Sequence, residues 1–168
     1  MHYLERFASS SANLRRVLSR KAQRSLAHWG GDADEAAAWI EALLVRFAQS
    51  GLLDDGAYAR QQASSLHRAG RSGRAIGARL AAKGVDREIA AAALAELEAE
   101  SAPDISPDLA AAARLARRRR LGPYRAAGER GENRDRDLAV LARAGFDYAT
   151  ARTVIDAADA DSVEALVG

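Results

Sequence analysis

The chain has 168 residues, no cysteine, three prolines, 5% aromatic residues, and a net charge of +2 from 25 basic and 23 acidic side chains. Without thiols there are no disulfides and no thiolate metal sites. No apolar run reaches the roughly 20 residues that span a bilayer, and early charges at Glu5, Arg6, Arg15 and Arg16 are unlike a secretory signal, so a cytoplasmic location is expected.

Abundant alanine and few aromatics favour helix over sheet, which predicts an all-α fold. A short helix is predicted over residues 3–8, a basic one over 13–27 and an acidic one over 34–49. The acidic helix places Trp39, Ile40, Leu43, Leu44 and Phe47 on one face. A linker follows near 50–55, where Asp54 or Asp55 is suited to cap a helix over 56–69 that holds Tyr58. The string Gly70-Arg71-Ser72-Gly73-Arg74 has no strand before it and no P-loop lysine, so it reads as a helix-to-helix turn.

The next helix ends at Gly84. Val85 packs back, Asp86 caps its successor, and Ile89, Ala90, Ala93 and Leu94 form an apolar stripe. Pro103 and Pro107 break the chain over 101–107. A helix over 108–120 then ends in four arginines, and 122–133, rich in glycine and charge, reads as a loop. The Gly-apolar-Asp link returns as Gly145, Phe146 and Asp147, about 61 residues after the first, with Thr150, Ala151, Val154 and Ile155 as the new stripe. Tyr58 and Tyr148 are expected to pack within their units. The pattern predicts three helices three times over, in repeats at 1–53, 54–103 and 104–168. A unit of about 50 residues buries too little surface to stand alone, so the repeats are expected to stack as an elongated array.

Acids and bases alternate in blocks. Residues 56–85 carry Arg60, Arg68, Arg71, Arg74, Arg79 and Lys83 with no acid, and a later block carries Arg114, Arg117, Arg118, Arg119, Arg120 and Arg125. Four consecutive arginines exceed what a helix C-terminus needs to offset its dipole, although neighbours point in different directions, so two or three can grip one partner. Five neutralised phosphates on a single strand imply a log–log salt slope of about −3.5. His2, His28 and His67 lack metal-ligand spacing, and no nucleophile–base set assembles, so no catalytic, cofactor or metal site is predicted.

Gly51-Leu52-Leu53-Asp54-Asp55 with Tyr58-Ala59-Arg60, the turn at Gly70-Arg71-Ser72-Gly73-Arg74, the stretch 80–86 and the stretch 138–146 occur in order along the chain. Together they resemble the RecX regulators of the RecA recombinase, over essentially the whole sequence. The resemblance implies tandem three-helix units that bind along the groove of the RecA–DNA filament. There they limit its growth and restrain ATPase, co-protease and strand-exchange activity without catalysis of their own. By position it assigns Arg68, Arg71, Arg74, Arg79 and Lys83, with Arg114, Arg117, Arg118, Arg119 and Arg120, to contact with DNA phosphate or acidic RecA surface. Reversing Arg71 and Arg74 is expected to abolish inhibition, and a monomer is expected. The first unit departs from the pattern through its longer connection at 22–31. The alternatives are a sequence-independent DNA-binding helical protein, a helix-turn-helix regulator acting without RecA, and a helical scaffold whose charges only solvate it.

Overall fold

The computed structural model describes residues 9–101 and 105–167. The predicted helix at 3–8 and Pro103 lie outside them. Among the described residues there are nine α-helices and no strand: α1 (Ser11–Trp29), α2 (Ala33–Gln49), α3 (Asp55–Arg68), α4 (Gly73–Ala82), α5 (Arg87–Ala99), α6 (Pro107–Arg119), α7 (Arg130–Ala144), α8 (Tyr148–Ile155) and α9 (Ala160–Val167). The chain divides into two compact units. One takes Met1–Ala59 with Leu80–Ala90, the other Arg60–Arg79 with Ala91–Gly168.

In the first unit, α1 starts at Ser10, a buried cap whose hydroxyl accepts from the Asn13 N–H at 3.2 Å and donates to the Lys83 carbonyl. Asp55 accepts from the Ser11 N–H at 2.7 Å, so two donors left free by the helix start are satisfied by side chains. Gly84 has φ +75, and a Cβ there would fall 2.5 Å from Ala12 Cβ; close approach and backbone both require glycine. Asp32 caps α2 through the Asp34 and Glu35 N–H groups, and α2 lies against α1. Their core is small: Leu14, Leu44 and Leu53, with Leu18, Ile40 and Phe47 packed around it. The apolar face predicted for α2 is therefore divided. Leu44 is buried, but Trp39 is 72% exposed, because α1 covers only one side of that face.

In the second unit, α6 presents Ala111, Ala112, Leu115 and Ala116 to the core, and its short side chains let it approach α8 and α9 closely. Leu121, Leu141, Phe146, Val154, Ile155 and Val163 complete that core. Ser72 caps α4 by accepting from the Ala75 N–H at 3.2 Å, while Asp108, at the start of α6, accepts from the Gly73 N–H at 2.8 Å. Gly145 ends α7 with φ +103. A Cβ there would overlap Ser72 Oγ and come within 2.7 Å of Ala75 Cβ.

Two readings of this part change. Residues 122–133 are not a loop: they hold the single 3-10 turns Gly122–Tyr124 and Ala127–Glu129 and the first turn of α7. The cause is Asp137, a fully buried carboxylate that accepts from the Gly122 N–H at 2.8 Å and from Arg125 Nε and Nη2 at 2.7 Å each. Burial pushes the Asp137 carboxyl up, but the Arg125 and Gly122 hydrogen bonds outweigh it and hold the group below its ordinary value. Tyr148, expected to pack, is 63% exposed at the start of α8, whereas Tyr58 is buried. Helix α9, capped by Asp159 through the Ser162 N–H at 2.7 Å, is an element the spacing argument does not reach.

Candidate functional site

Two adjoining clefts in the second unit share Ala69, Arg71 and Arg118. The smaller, of 210 Å³, adds Arg119 and Arg143 over a floor that includes Leu115, Val140 and Ala144. The larger, of 540 Å³, adds Arg79 beside Leu66 and Ala75. Five guanidinium groups thus converge from the α3–α4 turn, α4, α6 and α7, and among the described residues no carboxylate lines either cleft.

Local structure sets this arrangement. Gly70 turns with φ +72, and a Cβ there would lie 2.9 Å from Leu115 Cβ, so the turn carrying Arg71 rests on α6. Arg118 reaches back to donate to the Ala69 carbonyl at 2.7 Å, tying the end of α6 to the end of α3. Arg71, Arg79, Arg119 and Arg143 are exposed and have no side-chain partner among the described residues. Like charges gathered without counter-charge raise the local potential, and an anion relieves it. Guanidinium forks match the paired oxygens of a phosphate or carboxylate.

The other residues assigned by sequence sit elsewhere. Arg74 donates from Nε to the Gly145 carbonyl at 3.2 Å and lines a different cleft with Glu98, Asp108 and Asp147. Asp147 is held below its ordinary value first by the Thr150 N–H, with the Arg74 charge contributing. Arg114 lies against His67: Nη2 is 3.2 Å from Nδ1, while His67 Nε2 stands 2.8 Å from the Pro107 carbonyl. Arg114 Nη2 is also 3.3 Å from His67 Nε2, so the guanidinium sits against both ring nitrogens; a carbonyl only accepts, so the contact with Pro107 has the ring N–H donating. Arg117 faces Glu164 at 3.4 Å. Arg120 ends α6 in the left-handed region with φ 53, and Arg68 ends α3, exposed and without a partner among the described residues. Lys83 belongs to the first unit, where its carbonyl accepts from Ser10.

Arg143 was not singled out by sequence reasoning. Its signal was available: Val140, Arg143 and Ala144 share one stripe of α7, and all three line the smaller cleft. Among the described residues no group of three His, Cys, Asp or Glu side chains is placed to hold a metal ion, and every buried side-chain N or O has a hydrogen-bond partner. No helix of the described residues is long and apolar enough to cross a membrane.

The family model described as "RecX, second three-helix domain" matches residues 54–94, which span α3, α4 and α5 as far as Leu94. A protein named Regulatory protein RecX from Myxococcus xanthus is 46% identical over 158 residues, covering 93% of this chain and 81% of that protein. The chain belongs to the RecX family. Regulatory protein RecX from Agrobacterium fabrum is 33% identical over 152 residues, and its namesake from Amycolatopsis mediterranei 34% over 149. Each of those alignments covers 88% of this chain and 74% of the relative. No solved structure gives a significant match. The all-helical chain is a RecX-type regulatory protein, and the RecX domain match includes Arg71 and Arg79 of the basic clefts.

Proposed function

We propose that this protein restrains the RecA recombinase by binding along the groove of the RecA–DNA filament, and that the anion taken by its basic clefts is the DNA phosphate backbone. The single observation behind this reading is the convergence of Arg71, Arg79, Arg118, Arg119 and Arg143 with no carboxylate of the described residues in the lining. Phosphate contacts hold a protein on nucleic acid without reading sequence, which suits a regulator that must act anywhere along a filament. We divide the chain into repeats at 1–53, 54–103 and 104–168. Weak contacts from successive repeats then add through effective concentration, so a small protein holds a long polymer. Inhibition in this account is occupancy of the groove and needs no chemistry from the protein.

Of the residues assigned by family position, Arg71, Arg79, Arg118 and Arg119 carry the contact, joined by Arg143. Arg74, Arg114 and Arg117 act mainly through their partners within the fold. Strand exchange by the organism's own recombinase, measured with and without this protein, tests the reading. The protein is expected to slow exchange, and a variant with Arg71 and Arg119 changed to alanine to do so far less. Exchange that proceeds at the same rate with the protein present would refute the proposal.

A further inference from the structure

Helices α1 and α2 together span 36 residues, and each buries a single one, Leu14 in α1 and Leu44 in α2. Between them runs an open groove of 760 Å³, two of whose lining residues, Leu18 and Ile40, also pack against the Leu14–Leu44 core. Its floor is Leu18, Ala22, Ile40 and Leu43, with Trp39 standing 72% exposed at its side. Single exposed apolar residues are ordinary, but an indole and a continuous aliphatic floor on two adjacent helices form a surface made to be covered.

The charges around the groove say by what. Lys21 and Arg46 are the charged residues of its lining, and neither side chain has a partner among the described residues. Arg46 is the lone base of α2, and α1 carries no acid of its own. Of the acids of α2, Glu41 is held by Arg15 at 2.6 Å, and Asp34 and Glu35, in its first turn, are not part of the groove's lining. An apolar trough with an unbalanced basic rim fits an amphipathic helix whose apolar stripe is flanked by Asp and Glu. Residues 38–46 of α2 extend for about 13 Å, enough for two to three turns of such a helix. A second copy of this chain fits less well, because an isologous pairing sets the same basic rim against itself.

We infer that the α1–α2 groove is a docking site for an acidic amphipathic helix of a protein partner, separate in role from the basic clefts. For its activity arm this inference rests on the recombinase reading above, and the test keeps the two apart.

Two variants of the full chain probe the groove: Trp39→Glu, and Lys21→Glu with Arg46→Glu. All three positions are exposed, so native helical circular dichroism is expected from both. Inhibition of recombinase ATPase on single-stranded DNA is expected to weaken at least about tenfold in each, while affinity for free oligo-dT stays within about twofold. In a Trp29→Phe background, which leaves Trp39 as the sole indole, a synthetic helix of leucine and glutamate should shift its emission. A leucine–lysine counterpart should not. Undiminished inhibition by both variants, or equal response to the two peptides, would overturn the inference. So would a wild-type dimer in sedimentation that Trp39→Glu dissolves, since the occupant is then a second copy. Should the wild type leave the recombinase untouched, the functional reading falls, and the peptide arm still decides the groove.

Discussion

If the five cleft arginines meet phosphates, removing two of them has a size fixed in advance. Single-stranded DNA contributes a log–log salt slope of about −0.7 per neutralised phosphate, so five contacts give about −3.5. Replacing Arg71 and Arg119 with alanine leaves three and brings the slope to about −2.1. Between 50 and 200 mM NaCl the wild type then loses roughly 130-fold in affinity and the variant roughly 18-fold. Neither side chain has a partner within the described fold, so stability should change by less than about 0.5 kcal/mol, and weaker binding cannot be blamed on unfolding. Fluorescence anisotropy of labelled oligo-dT across a salt series measures the slope directly. Arg74→Ala is the internal control, since Arg74 is held by Gly145 and lines the acidic cleft; its slope should match the wild type. An unchanged slope in the double variant, or an equal fall in Arg74→Ala, would refute the assignment of the clefts.

Asp137→Asn should cost about 3–5 kcal/mol in urea unfolding, because it strips a buried partner from Arg125. The folded Asp137 carboxyl lies below its ordinary 3.8, so its contribution is full above that value and lost as pH falls through the lower folded one. Wild-type stability should therefore drop below pH 3.8, and the asparagine variant should lack that component. Gly145→Ala should lower stability by about 2–4 kcal/mol, from left-handed backbone strain plus the clash with Ser72 and Ala75, with the urea m-value unchanged. Trp29 and Trp39, 81% and 72% exposed, should both be quenched readily by acrylamide in the free protein; a protected fraction would show the α1–α2 groove already covered.

Much of the fold was legible because it rests on local rules. Gly84-Val85-Asp86 and Gly145-Phe146-Asp147 announce a helix end, an apolar return and a new cap, and Asp147 does cap α8. Contacts between distant segments were not legible. Nothing in the spacing shows that Ser10 donates to Lys83, that Asp108 holds the start of α4, or that Asp137 organises the turns after α6. The same gap divides the candidate site. Sequence identifies acid-free blocks of arginine, but not that Arg71 and Arg74, three residues apart around a turn, line different clefts. Arg143 looked like an ordinary base at a helix C-terminus until α6 and the α3–α4 turn were placed beside it. Trp39 obeys the helical period of a buried face, yet periodicity gives the face and not the width of the neighbour that covers it.

Recombinase ATP turnover on single-stranded DNA tests the central claim most directly. Added at concentrations too low to coat free DNA, the wild type should slow turnover, and the Arg71→Ala, Arg119→Ala variant should need far more protein for the same effect. Turnover that stays constant until the DNA itself is saturated would contradict the account and leave a DNA-binding protein that acts without the recombinase.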